Sequence, residues 1–305
     1  MRMPTVRARH ATAEFGRAHS PTTPRAVESL VSRMHFEIVP MKSVDAAIAA
    51  LPPHARVSVT CSPASGIPET RRLTELLVGS GHHVTPHIAA RLVTGPDEAD
   101  ELAAWTRSIG LDEVFVIAGD AAAPAGPYDG ALGFLRDFIA AGPGVARIGI
   151  TGYPDGHALI GTAAVSEQLH AKQRLLDEAG LSGWVSTQMC FDADAIRSWL
   201  EQERRAGLHL PIRLGVPGAV DRARLLRMGT RLGIGTSLRF LSKNTATIGR
   251  LVAPGGYDPS QLVGALAPDA ARLGIDALHS FTFNAVAETL DWQQRLLADA
   301  DHVVG

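Results

Sequence analysis

The chain has little of what several classes of protein depend on. It holds two cysteines in 305 residues, Cys61 and Cys190, which lie far apart in the sequence. Two cysteines build neither a disulfide framework nor, on their own, a zinc site. The sequence also has no run of about 18 apolar residues, so no membrane-spanning helix is predicted. We therefore expect a cytoplasmic protein with no metal site and no membrane partner.

The chain also lacks a strong charge of either sign. Its 29 basic and 31 acidic side chains give a formal net charge of -2. This near-neutral balance gives no electrostatic footprint for nucleic acid. The sequence contains no HExxH, GxSxG or Walker motif. These absences argue against a zinc hydrolase, a serine hydrolase and a P-loop nucleotide hydrolase.

What the chain does have is the composition of a globular protein, with 46% hydrophobic and 20% charged residues. The length suits one large α/β domain or two small ones. Residues 1–33 are rich in arginine, proline, serine and threonine, and they predict a flexible N-terminal extension with a short helix from about Pro24. No shift in composition follows, so we predict one catalytic domain over residues 34–305.

Short β-branched runs alternate with amphipathic stretches throughout that domain. Strands alternating with helices indicate βαβ units and a parallel sheet. Eight strands in this rhythm predict an α/β fold of the closed (βα)8 type, a TIM barrel. The long gap before the last strand predicts extra helices between strands 7 and 8, from about Ala223 to Arg272. The predicted strands begin near residues 34, 56, 82, 113, 146, 184, 211 and 277.

Polar residues stand at the C-terminal ends of the predicted strands. In a (βα)8 barrel these ends and the loops that follow them form one mouth, where the chemistry takes place. Acids, a histidine, a tyrosine and amides in one mouth predict an active site. The residues at these ends are Glu37, Thr60, His87, Gly119 with Asp120, Tyr153, Gln188, Pro217 and Asn284.

Two of these positions carry carboxylates. Glu37 lies inside an otherwise apolar run, and burial favours the neutral form of a carboxylic acid, which suits a general acid. The alternative is an outward-facing strand residue covered by a helix. At the end of the fourth strand, Gly119 lets a ligand approach the backbone and Asp120 can stabilise a cation. An ordinary Asp turn or helix cap explains that pair equally well.

The other polar positions are open to two interpretations as well. Tyr153 and His157 would stack on a planar ligand or belong to an ordinary turn. Gln188 offers both a donor and an acceptor, as contact with a heterocycle edge requires, or makes a loop hydrogen bond. Arg239 and Lys243, one helical turn apart, would meet an anionic group or face solvent.

In this order the motifs resemble the methylenetetrahydrofolate reductase family, over about His35 to Trp292. The resemblance implies a (βα)8 barrel that reduces 5,10-methylenetetrahydrofolate to 5-methyltetrahydrofolate with NADH or NADPH. Most members relay the hydride through bound FAD, and the reaction belongs to one-carbon metabolism and methionine biosynthesis. The matching pieces are Phe36-Glu37…Pro40, Val57-Ser58-Val59-Thr60, Pro86-His87, Gly119-Asp120, Gly152-Tyr153-Pro154-Asp155-Gly156-His157, Thr187-Gln188…Phe191-Asp192, Gly215…Pro217 and His279…Thr282-Phe283-Asn284.

The resemblance implies a role for each candidate. Glu37 would protonate the folate N10, and Asp120 would stabilise the resulting iminium cation. Gln188 would contact both folate and nicotinamide. The family's eighth-strand arginine is Ala285 here, so Arg239 or another basic group would meet the folate beside Asn284, or the substrate differs. The residues implied to line a cofactor are Thr60, His87, Gly119, Tyr153, His157, Gln188 and Lys172.

Two departures from the family concern FAD. The family's Arg-Gly-Asp motif starts with Ala118 here, and the following helix offers only Lys172 and Arg174 as phosphate partners. We therefore expect tetrahydrofolate and a nicotinamide as partners, with direct hydride transfer and no bound flavin. The alternatives are the same reaction through FAD, a deazaflavin acting on another pterin, and a folate-binding barrel without catalysis.

Overall fold

The strands close into a parallel barrel in sequence order. The computed structural model describes residues 22–220 and 258–304, and within them β1 pairs with both β2 and β8. The predicted (βα)8 barrel is confirmed. The strands are β1 (His35–Ile38), β2 (Arg56–Val59), β3 (His83–Ala89), β4 (Glu113–Ile117), β5 (Arg147–Gly152), β6 (Ser182–Thr187), β7 (Ile212–Pro217) and β8 (Ile275–Phe281).

Helices connect these strands around the outside of the barrel. They start where the sequence supplies helix-starting chemistry: Pro96 occupies the first turn of α4, and Asp192 accepts hydrogen bonds from two backbone N–H groups of α7. The helices are α1 (Thr22–Ser32), α2 (Val44–Ala49), α3 (Gly66–Gly79), α4 (Pro96–Ser108), α5 (Ala131–Ala140), α6 (Thr162–Glu178), α7 (Ala193–Arg205), α8 (Ser260–Leu266), α9 (Ala270–Leu273) and α10 (Val286–Val304).

The extra helices predicted between the last two strands are present in the described part of that gap, as α8 and α9. Residues 221–257 lie outside the described residues, and with them the predicted contact residue Arg239 and its neighbour Lys243. Within the described ranges, no helix is both long enough and apolar enough to cross a membrane.

The N-terminal boundary differs from the sequence-based one. Helix α1 packs into the core, where Leu30 and Val31 are almost fully buried. The backbone carbonyl of Val31 also accepts a hydrogen bond from Gln293 on α10, at 2.8 Å. The packed part of the chain therefore includes α1, whereas the sequence placed residues 1–33 in a flexible extension with a short helix from about Pro24. Residues 1–21 lie outside the described ranges.

An aromatic layer fills the middle of the barrel. Trp184 of β6 stacks on Phe115 of β4, with ring centroids 6.5 Å apart. Space for the indole comes from Gly149 on β5, where an added Cβ would lie 2.4 Å from the Trp184 ring and 2.9 Å from Phe115. Within the described residues, the middle of the barrel is therefore packed.

This packing predicts that Gly149→Ala destabilises the fold by about 1–3 kcal/mol, because the new methyl group overpacks the aromatic layer. Gly264→Ala is the matched control. Gly264 lies within α8 with nothing near an added Cβ, and alanine is the better helix former. Urea unfolding followed by tryptophan fluorescence compares the two. Equal stability of both variants would contradict the packed interior.

Candidate active site

Glu37 lies inside the barrel, on β1, and is held there by a histidine. Its side chain is buried, and Oε2 is hydrogen-bonded to Nε2 of His279 on β8, at 2.9 Å. Among the described residues, no hydrogen bond reaches the second oxygen, Oε1. The structure thus places the predicted acid in the interior, and not on the helix-covered outer face of the strand.

His87 of β3 completes this group of buried polar side chains. Its Nε2 lies 2.8 Å from the Ser58 hydroxyl and 3.9 Å from Oε2 of Glu37. Burial, with a smaller contribution from His279, holds the pKa of His87 well below its usual range. His87 is therefore neutral near pH 7 and adds no positive charge beside Glu37. The sequence predicted that His87 lines a cofactor. The structure places its ring inside the barrel, next to Glu37.

The same three side chains could hold a metal ion. The ligand atoms of Glu37, His87 and His279 lie within 4.8 Å of one another. Two histidines and one carboxylate form a ligand set that zinc and iron(II) enzymes use. Here Glu37 and His279 bond each other directly, and His87 bonds Ser58. Of the two alternatives, these direct bonds favour a hydrogen-bonded group that transfers a proton, and not a metal site.

The loop after β8 fixes the position of β1. The Thr282 hydroxyl donates to the backbone carbonyl of Glu37. Asn284 accepts from the Val39 N–H at 2.8 Å and donates to the Val39 carbonyl at 2.9 Å and to Ser43 Oγ at 3.1 Å. Both ends of this amide are used within the protein. That arrangement favours a structural role for Asn284 over the substrate contact expected from the sequence.

Gly119 and Asp120 follow β4 at the mouth. Gly119 has φ +87°, and an added Cβ would lie 2.8 Å from the Cβ of Ala89. A glycine is therefore required by the backbone and by close packing against β3. This positive φ also ends the strand before Gly119, earlier than the sequence pattern indicated. Asp120 is exposed, so its carboxylate is open to a ligand at the mouth.

Tyr153, His157 and Lys172 meet around the end of β5. The Tyr153 ring packs edge-to-face on His157, with centroids 5.0 Å apart. Burial raises the pKa of the Tyr153 phenol, and the nearby Asp120 carboxylate also raises it. A hydrogen bond with the Thr151 side chain lowers this pKa, but by less than burial raises it. Lys172, on α6, donates to Thr151 Oγ1 at 3.1 Å. The lysine thus approaches the site from behind the strand, through Thr151.

Thr60 and Gln188 each leave one polar group for a ligand. The Thr60 hydroxyl is enclosed and has no hydrogen-bond partner among the described residues, which is uncommon for a buried polar atom. Gln188 uses Oε1 locally, accepting from the Met189 N–H at 2.8 Å. No described residue bonds its Nε2. Both observations are consistent with the ligand contacts that the sequence predicts for these two residues.

Two groups of predicted residues therefore form. Glu37 and His87 meet inside the barrel, and Asp120, Tyr153, His157 and Lys172 meet around the end of β5. Sequence reasoning assigned no role to His279, the partner of Glu37. Period-two alternation along β8 would have indicated that His279 and Phe281 share one face, and their rings do pack together, with centroids 5.1 Å apart.

No protein-family model matches the chain. Among solved structures, the barrel is similar to a Clostridium thermocellum protein that binds two copies of 5-methyl-5,6,7,8-tetrahydrofolic acid. That match has 12% sequence identity and a TM-score of 0.55, and covers 92% of this chain and 99% of the other. A proposed deoxyribose-phosphate aldolase from Toxoplasma gondii ME49 matches with 13% identity and a TM-score of 0.43, over 92% and 98% of the two chains. The first match shows a shared fold, whereas the TM-score of the second is too low to support a conclusion.

The buried lysine predicts a pH effect on stability. Burial lowers the pKa of Lys172 from 10.5 to about 8. The unfolded chain therefore binds this proton more tightly, and stability rises with pH between the two values. Lys172→Met removes the charge, so the variant is expected to be more stable than the natural chain near pH 7, by up to about 3 kcal/mol. This advantage shrinks as the pH approaches about 10.

Urea unfolding of both proteins across this pH range measures the difference. Taking the difference cancels the other groups that titrate there, such as the Cys61 thiol, whose pKa burial raises. Lys42→Met, at an exposed lysine, is the control and should show no such trend. A loss of stability in Lys172→Met that does not vary with pH would contradict the prediction, because it would mean that nearby groups stabilise the charged form of Lys172 in the folded protein.

Proposed function

We propose that the chain reduces 5,10-methylenetetrahydrofolate to 5-methyltetrahydrofolate, taking the hydride directly from NADH or NADPH without a bound flavin. The observation that carries the proposal is the buried Glu37 carboxyl group, held by His279 in a barrel whose mouth presents Asp120. A proton donor below the substrate and a negative charge beside it are the two groups that this reaction needs.

The comparison with solved structures supports the substrate class. The Clostridium thermocellum protein with the same fold binds 5-methyltetrahydrofolate, which is the product of the proposed reaction. At 12% identity its ligand is not transferred residue by residue. It supports a folate at the mouth of this barrel, and the chemistry is argued from the residues of this chain.

The first proposed step is a proton transfer from Glu37. His279 holds Oε2, which leaves Oε1 to reach the folate N10. Protonation of N10 breaks the bond between N10 and the bridging carbon, and the carbon remains on N5 as an iminium cation. General acid catalysis of this kind contributes about 10²–10⁴ in rate. His279 acts as a positioning residue, since it fixes the carboxyl group without contacting the folate.

The second step is the hydride transfer. Asp120 stabilises the iminium cation electrostatically, and the Gln188 amide orients the pterin and the nicotinamide. The C4 hydride of the nicotinamide then bonds to the iminium carbon. One reduced nicotinamide and one proton are consumed, and 5-methyltetrahydrofolate and the oxidised nicotinamide are formed. The barrel mouth contributes mainly by holding the two reactants face to face.

The positions that would bind the flavin phosphates support direct transfer. Ala118 stands where the resembling family has its flavin-contacting arginine. Lys172 is buried and bonds Thr151, so a phosphate contact would require its side chain to leave that place. Arg174 lies 12 residues after the start of α6, about 18 Å along the helix from its first residue. The alanine at position 118 and the hydrogen bond of Lys172 to Thr151 therefore support direct transfer over a relay through FAD.

Glu37→Gln is expected to lower kcat by about 10²–10⁴, because glutamine keeps the shape and the contact with His279 but has no proton to give. Binding of 5-methyltetrahydrofolate, measured by calorimetry, should stay unchanged. Glu167→Gln, at an exposed position on α6, is the control and should keep full activity. Near-normal turnover in Glu37→Gln would overturn the acid assignment.

The function itself is tested by an absorbance spectrum of the purified protein and by anaerobic NADH oxidation with methylenetetrahydrofolate and no added flavin. A colourless protein that turns over supports the proposal. A yellow protein, or activity only after FAD is added, would replace direct transfer by a flavin relay. Folate binding without any NADH or NADPH oxidation would identify a non-catalytic barrel.

A further inference from the structure

A cavity lies at the opposite end of the barrel from the proposed active site. Its volume is about 380 Å³, and residues from the first positions of the strands line it, including Arg56 of β2, His83 of β3 and Arg147 of β5. A volume of this size is within the usual range of small-molecule sites. The aromatic layer of Trp184 and Phe115 fills the barrel between this cavity and the mouth.

Positive charge exceeds negative charge in the cavity wall. Four arginines line it, together with three carboxylates, those of Asp112, Glu113 and Asp276. Glu113 alone serves two of the arginines: its carboxylate accepts from Arg213 at 2.7 and 2.8 Å and from Arg147 at 3.1 Å. One carboxylate shared between two guanidinium groups leaves a net positive charge beside it.

Arg33 and Arg56 complete the set of four. Arg33 pairs with Asp276 at 3.2 Å. Arg56 is exposed at the start of β2 and has no ion pair or side-chain hydrogen bond among the described residues. Its guanidinium is therefore available to a ligand.

A buried histidine faces the same space without a partner. His35 is 6% exposed and lines the cavity, and its Nδ1 has no hydrogen-bond partner among the described residues. Burial holds the pKa of His35 well below its usual range, and Arg213, His279, Arg56 and Arg147 act in the same direction. Three arginines thus act on one neutral, unpaired imidazole.

We propose that this cavity, lined by His35, Arg56, Arg147 and Arg213, binds the phosphate group of a small anion. The arginines come from β2, β5 and β7, so their donors surround the space from different directions. A phosphate group offers more acceptor oxygens than a carboxylate, so it can accept hydrogen bonds from donors on several sides at once. The free Arg56 supplies the charge that the wall does not neutralise, and His35 supplies a neutral hydrogen-bonding group.

Calorimetric titration of the full chain at constant ionic strength tests the site, without folate or nicotinamide present. The ligands are inorganic phosphate, glycerol phosphate as a small monoester, and glutarate as a dicarboxylate. We expect one of the two phosphates to bind with a Kd of about 1 mM or tighter. Preference for glycerol phosphate identifies an organic phosphate as the occupant, and preference for the inorganic ion identifies free phosphate.

Arg56→Ala should weaken that binding about tenfold or more, because one charge-assisted hydrogen bond is lost. Arg56→Lys should restore part of it. Arg205→Ala is the control, since Arg205 is exposed and lies outside the cavity, and it should bind as the natural chain does. Thermal unfolding shows that each variant is folded.

Three results would overturn the proposal: no binding of either phosphate, binding of glutarate alone, or equal binding by Arg56→Ala and Arg205→Ala. The titration contains no folate or nicotinamide, so its outcome is independent of the proposed reductase activity. Failure of the phosphate-binding proposal and failure of the reductase proposal are therefore distinguishable.

Discussion

The hydrogen bond between Glu37 and His279 is the interaction on which the rest of the account depends. Burying a carboxyl group without a partner is strongly unfavourable. Glu37 can therefore lie inside the barrel only because His279 forms a hydrogen bond with it. The two residues are 242 positions apart in the chain, on the first and last strands. Closure of the barrel brings these strands together, and the site therefore forms only when the whole fold is complete.

The interior is arranged in layers that keep two kinds of chemistry apart. Glu37 and His279 lie toward the mouth, while Arg213 lies under the Trp184 ring, with its guanidinium carbon 3.7 Å from the ring centroid. Phe115 packs between Trp184 and His279. This aromatic layer separates the proton donor from the arginines at the other end. Each end can therefore hold a ligand of different charge within one small domain.

The strands and the acid could be predicted from local sequence, and the partners of the acid could not. Apolar and β-branched residues mark the eight strands, and an acid in an apolar run identified Glu37. The His279 contact depends on register between strands far apart in the chain. Asn284 was expected at the substrate because of the family resemblance, whereas its amide binds the backbone of Val39. A short helix was predicted near Pro24, but its packing against the barrel was not, although Val27, Leu30 and Val31 have helical spacing and pack inward.

Direct hydride transfer is the central claim, and an isotope experiment tests it most directly. The protein is incubated with methylenetetrahydrofolate and with NADH carrying deuterium at both C4 positions, without added flavin, and the product methyl group is analysed by mass spectrometry. The account predicts one deuterium in each methyl group formed. A methyl group without deuterium, or product formation only after FAD is supplied, would contradict it.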